Sequence, residues 1–160
     1  MAIKAGDRMP NGVFAVMTDS GPGAMSTDEL FKGKRVVLVS VPGAFTPTCS
    51  MNHLPGFVQH ADEIKAKGVD TIACMAVNDV FVMDAWGKDR NVNGKVLMLA
   101  DGNGEYTRAL GLEMDGTKFG LGMRGQRFAL VVNDGVVEHA AVEEPGKFEV
   151  SKAEAILDAL

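Results

Sequence analysis

The sequence predicts an α/β fold, a thioredoxin-like arrangement with a central mixed β-sheet flanked by helices. Three observations carry that reading. Short apolar runs at residues 35–41, 71–77 and 96–100 are apolar on both faces, as parallel strands covered by helices tend to be. Between them lie helix-like patterns opened by capping residues. Towards the C-terminus, Asn133-Asp134-Gly135 is a strong hairpin-turn signal between apolar runs at 128–132 and 136–142.

Taken in order, Phe14-Ala15-Val16-Met17 reads as a short strand, followed by a turn at Ser20-Gly21-Pro22-Gly23. Ser26-Thr27-Asp28-Glu29 matches a capping box and opens a short helix through Leu30 and Phe31. Residues 35–41 form a central strand. From Pro47 to about Lys67 the pattern is helical, with Phe57, Ala61 and Ile64 at helical spacing. Pro55 and Gly56 are expected to kink that helix or loosen its first turns. A second buried strand follows at 71–77, and Asn78-Asp79 caps a helix through Trp86. The third strand, 96–100, precedes a short helix at 105–110. Ser151-Lys152-Ala153-Glu154 is another capping box, starting a last helix with Ile156, Leu157 and Leu160 on its apolar side. Strands alternating with helices, then a hairpin and a helix, fit a thioredoxin-like core. No repeat, low-complexity tract or linker interrupts the chain, so one domain over residues 1–160 is expected.

Composition narrows the function classes. The chain has 160 residues, 46% hydrophobic and 23% charged, with a formal net charge of −5. That balance, without a Lys/Arg cluster, argues against nucleic acid or an anionic membrane as partner. The first ten residues lack the apolar core of a signal peptide, and no apolar run reaches membrane-spanning length. A soluble, cytoplasmic protein is expected. Two cysteines, Cys49 and Cys74, are too few for a disulfide framework. The scattered His53, His60 and His139 offer no metal-ligand spacing, so no structural metal is expected.

The most informative segment is Val41-Pro42-Gly43-Ala44-Phe45-Thr46-Pro47-Thr48-Cys49, directly after the central strand. Thr46 is a good N-cap and Pro47 suits the first helical position, which puts Cys49 in the first turn. A thiol there meets unpaired backbone N–H groups and the positive end of the helix dipole, and both favour the thiolate. It also lies at the C-terminal end of a central strand, where open α/β sheets place their sites. Cys74, in the middle of an apolar run, reads as a core residue.

These residues resemble the peroxiredoxins. Pro42, Thr46 and Cys49 reproduce that family's Pro-x3-Thr-x2-Cys signature, and the string from Pro42 to Ser50 with His53-Leu54-Pro55-Gly56-Phe57 is similar to its fifth, or type II, subfamily. The likeness continues through Val77-Asn78-Asp79, Ala85-Trp86, Leu99-Ala100-Asp101-Gly102 and Arg127-Phe128. The resemblance implies a thiol peroxidase acting on hydrogen peroxide and organic hydroperoxides. Cys49 would be the peroxidatic cysteine, Thr46 its hydroxyl partner, Arg127 the cation holding thiolate and peroxide, and Pro42 the shield against water. Backbone N–H groups at Thr48 and Cys49 would bind substrate. It further implies no metal, haem, flavin or selenium, and a homodimer with Phe45, Phe81 and Met83 as contacts.

Thioredoxins carry Cys-x-x-Cys at this turn, whereas here Thr46 replaces the first cysteine, so an oxidised Cys49 needs a thiol from elsewhere. Residues 75–160 contain no cysteine, and Cys74 is the only internal candidate. A one-cysteine cycle recycled by glutathione with glutaredoxin is favoured, with thioredoxin as the other reductant. Arg124 rivals Arg127, but the family's arginine directly precedes an aromatic residue, here Phe128. His53, one turn beyond Cys49, is expected to play a structural or dimer-contact role rather than to transfer protons. A peroxide sensor or redox-regulated holdase, with turnover incidental, is the alternative reading.

Overall fold

The computed structural model describes residues 1–48 and 52–160. One seven-stranded sheet organises them. Its strands are β1 (Val13–Thr18), β2 (Gly21–Ser26), β3 (Arg35–Ser40), β4 (Thr71–Ala76), β5 (Leu97–Ala100), β8 (Phe128–Asn133) and β9 (Val136–Val142), in the order β2-β1-β5-β4-β3-β8-β9. β3, β4 and β5 run parallel, while β1, β2, β8 and β9 join as antiparallel neighbours. A separate hairpin pairs β6 (Glu113–Asp115) with β7 (Met123–Gly125).

The two-residue period of β3 divides the core. Val37, Val39 and Val41 point to one side with Ile72, Cys74, Leu54, Phe57, Ile64, Met83, Trp86 and Ile156. Val36 and Leu38 point to the other, with Leu30, Phe31, Met75, Tyr106, Leu110 and Leu130. The first layer is supplied by α2 (Leu54–Gln59), α3 (Ala61–Ala66), α4 (Val80–Asp89) and α6 (Ala153–Ala159). The second is supplied by α1 (Thr27–Phe31) and α5 (Glu105–Leu110). Burial on both faces explains why β3 reads as a continuous apolar run.

Several expectations change. The Gly-Pro-Gly segment at 21–23 belongs to β2, paired in register with β1, so the turn tightens to residues 19–20. The β6–β7 hairpin, with a 3-10 turn at Thr117–Phe119, has no counterpart in the sequence reading. The helical stretch is irregular at Pro55, as expected: Asn52 and His53 are wound as π-helix, α2 starts at Leu54 with Pro55 in its first turn, and a second break falls at His60. The expected cap of the last helix also moves. α1 carries a complete capping box at Ser26 and Glu29, but α6 begins after Lys152 without a side-chain cap, because Ser151 bonds elsewhere. No helix among the described residues is long and apolar enough to cross a membrane.

Candidate active site

The sheet brings two distant segments to one edge. β3 and β8 are antiparallel, with Ser40 opposite Phe128, so the chain leaves β3 at Val41–Pro42 beside the point where Arg127 enters β8. Side chains tie these segments together. The Ser40 hydroxyl donates to the Gln126 carbonyl at 2.9 Å, and Arg124 Nη1 donates to the Pro42 carbonyl at 3.1 Å. Gly43 leaves room for that second bond, since a Cβ there would come within 2.7 Å of Arg124 Nη1 and push the side chain aside. On the other side, the Ala44 N–H donates to Asn78 Oδ1 at 2.9 Å. The sequence reading took Asn78 together with Asp79 as a helix cap. Asp79 alone caps α4, through Val82, and Asn78 instead holds the loop.

A pocket of about 370 Å³ opens at this edge. Pro42, Thr48, Arg127, Met114 and Phe148 line it, with Glu113, Glu143, Glu144 and Lys147. Pro42, Thr48 and Arg127, expected to act together, thus share one cavity. Cys49 lies outside the described residues; Thr48, its neighbour in the chain, is in the pocket wall. Thr46 is half-buried, and its hydroxyl donates to the Gly43 carbonyl at 2.8 Å. Its lone pairs can accept a proton donor, but donation to sulfur requires that the Gly43 bond be given up. Arg124, the rival cation, is engaged by the Pro42 and Leu121 carbonyls and serves the loop.

Arg127 is held from behind by His53, with Nη1 to Nδ1 at 2.9 Å. His53 is fully buried, and its Nε2–H donates to the Ser151 carbonyl at 3.0 Å. Burial, reinforced by the Arg127 charge, pushes the imidazole down to about 3, so it is neutral at physiological pH. A neutral imidazole committed at both nitrogens fits the structural role expected of it and not proton transfer.

The three aromatic or apolar side chains expected at a dimer contact separate. Phe81 is 63% exposed on the first turn of α4, and Phe45 is 51% exposed. Phe45 also holds a left-handed backbone, φ 65°, which is costly for a bulky residue. Its ring lies 6.5 Å from that of the buried Trp86. Met83 is different: it is 1% exposed and packs in the core beneath them, so it offers no surface to a partner.

A thioredoxin-like sheet with a proline- and arginine-walled pocket at the end of its central strand is the frame of a thioredoxin-fold redox protein. Comparison with known proteins narrows this. The Redoxin family profile matches residues 4–157. Peroxiredoxin-2B of Arabidopsis thaliana is 51% identical over 159 residues, covering 99% of this chain and 98% of that protein. Among solved structures, reduced Prx3 of Vibrio vulnificus in complex with hydrogen peroxide superposes with a TM-score of 0.94 at 53% identity, covering 98% of each chain. Peroxiredoxin 5 of Alvinella pompejana gives a TM-score of 0.86 at 38% identity, over 98% of this chain and 97% of that one. The chain belongs to the Redoxin family as a type II peroxiredoxin, a thiol peroxidase of antioxidant function.

Proposed function

We propose that Cys49 is the peroxidatic residue and that a single cysteine carries the catalytic cycle. The observation that carries this reading is the shared pocket of Pro42, Thr48 and Arg127, with Thr48 adjoining Cys49 in the chain. The Cys49 thiolate attacks one oxygen of a hydroperoxide. An S–O bond forms, the O–O bond breaks, and the departing hydroxide or alkoxide takes a proton to leave as water or alcohol. The sulfur is oxidised to sulfenic acid and the peroxide is reduced. Arg127 and the backbone N–H groups at the helix start meet the charge that builds on the oxygens, and Thr46 accepts from the peroxide hydroxyl. Pro42 keeps water from the sulfur.

A thiol from outside the chain then displaces the sulfenic hydroxyl as water, and a second thiol releases Cys49. Glutathione with glutaredoxin is the reductant on this reading. Cys74 favours it, being 0% exposed in the middle of β4 with strands on both sides. The working unit is a cytoplasmic homodimer joined near Phe45 and Phe81. The test is steady-state turnover of hydrogen peroxide with either glutathione and glutaredoxin or thioredoxin, in wild type, Cys49→Ser and Cys74→Ala. Turnover with the first system, lost in Cys49→Ser and kept in Cys74→Ala, is expected. Loss of turnover in Cys74→Ala would overturn the one-cysteine cycle, and turnover with thioredoxin alone would overturn the choice of reductant.

A further inference from the structure

A chain of buried side-chain contacts runs from Glu143, whose N–H donates to the Arg127 carbonyl at 3.0 Å, round to the Arg127 guanidinium. It begins at Glu143, only 6% exposed, immediately after β9. One carboxylate oxygen, Oε2, accepts from the Glu149 N–H at 2.8 Å, the Ser151 N–H at 2.8 Å and the Ser151 hydroxyl at 2.6 Å. Burial alone would push this carboxyl up. The donors on Ser151, Glu149 and Val150 outweigh burial and hold it below the ordinary value, so it is ionised at neutral pH. The segment 143–151 is thereby closed on itself and presents the Ser151 carbonyl to His53 Nε2.

The tautomer of His53 follows from its neighbours. A carbonyl only accepts, so Nε2 must carry the proton. A guanidinium only donates, so Nδ1 must be bare. Ser151 and Arg127 therefore demand the same neutral form. Phe148, from the same closed segment, stands edge-on to the imidazole at 5.1 Å and 5.9 Å from Arg127 Cζ. The opposite tautomer would set an N–H against the guanidinium and leave the Ser151 carbonyl unmet, a double cost in a fully buried site.

We propose that Glu143 is a positioning residue for the peroxidase reaction: its carboxylate closes segment 143–151, Ser151 thereby fixes the tautomer of His53, and His53 holds the Arg127 guanidinium at the pocket. This rests on the reading of Arg127 as the cation that serves Cys49. An amide in place of the carboxylate lacks the charge that gathers three donors on one oxygen, so Glu143→Gln loosens the segment and frees the imidazole to change form.

The experiment compares wild type, Glu143→Gln, Ser151→Ala and Arg127→Ala in the full chain. Two quantities are read: the second-order rate of the reduced protein with hydrogen peroxide, and the ring-nitrogen NMR shifts of His53. Glu143→Gln is expected to react roughly tenfold more slowly, short of the roughly hundredfold cost of a 1 Å misplacement, with His53 no longer solely in the Nε2–H form. Ser151→Ala, which removes one donor and keeps the backbone, should show both changes to a smaller degree, and it carries the test if Glu143→Gln does not fold. A wild-type rate in Glu143→Gln overturns the proposal. So does a slow variant whose His53 keeps its tautomer, because Glu143 would then act only as pocket wall. If Arg127→Ala is slow while Glu143→Gln is fast, the brace alone falls; if Arg127→Ala reacts as wild type, the reading of Arg127 falls first.

Discussion

Arg127 and His53 form a pair in which each residue determines the other's state. The guanidinium needs an acceptor behind it to face the pocket, and the imidazole supplies one only while neutral. On the proposed mechanism, Arg127→Ala removes the main positive charge at the developing oxyanion. The second-order rate with hydrogen peroxide, followed by stopped flow, should fall about a hundredfold or more. Arg127→Lys should recover little of it, because an ammonium cannot donate to His53 and the pocket in one plane. The neutral state of His53 also makes stability depend on pH. Its value is about 3 in the folded protein against 6.5 unfolded, so between those limits the unfolded chain binds the extra proton. Stability is complete above 6.5 and falls by about 1.4 kcal/mol for each pH unit below it. Glu143, depressed below 4.5, adds to the same trend: its contribution is present above that value and is lost as pH falls further. Urea midpoints measured from neutral pH to about 4 should drop more steeply in wild type than in His53→Gln. Parallel slopes would contradict the assignment of a buried neutral imidazole.

Among the elements, the loop from Val41 to Thr46 depends most on its neighbours. It is fastened by Arg124 to Pro42, by Asn78 to Ala44 and by Thr46 to Gly43. Asn78→Ala leaves the Ala44 N–H without its acceptor and should cost about 1 kcal/mol of stability. It should also slow the peroxide reaction while far-ultraviolet circular dichroism stays unchanged, and an unaltered rate would show that the loop holds its shape without Asn78. Local rules made the helices and inner strands legible in the sequence: capping residues at Ser26 and Asp79, apolar runs for β3 and β4, and the turn at Asn133-Asp134-Gly135. The misreadings have a common physical cause. β2 is rich in glycine and proline and is a strand only because β1 pairs with it, and β6 and β7 are three residues each. Ser151 had a local partner available in the capping pattern, yet Glu143 outcompetes it with a buried charge. The cluster of Glu143, Ser151, Phe148 and His53 joins positions nearly a hundred residues apart, which no local pattern records. Arg127, which lies in the pocket wall, is picked out only because it precedes Phe128, a signal carried by family likeness.

At the scale of the whole molecule, the sheet sets a pocket at one edge. Phe81 and Phe45 are both exposed, and Phe45 holds a left-handed backbone. If Phe45 and Phe81 join two subunits as proposed, Phe81→Asp should yield a monomer by sedimentation equilibrium at concentrations where the wild type is a dimer. A dimer that survives the substitution would move the interface elsewhere. The central claim, however, is that Cys49 alone takes the oxidation, and one measurement addresses it directly. Reduced protein is mixed with one equivalent of hydrogen peroxide, quenched within milliseconds, trapped with a sulfenic-acid reagent and mapped by peptide mass. A single oxygen on Cys49, with Cys74 untouched, is the expected result. Rapid formation of a Cys49–Cys74 disulfide, or no modification of Cys49 on that timescale, would contradict it.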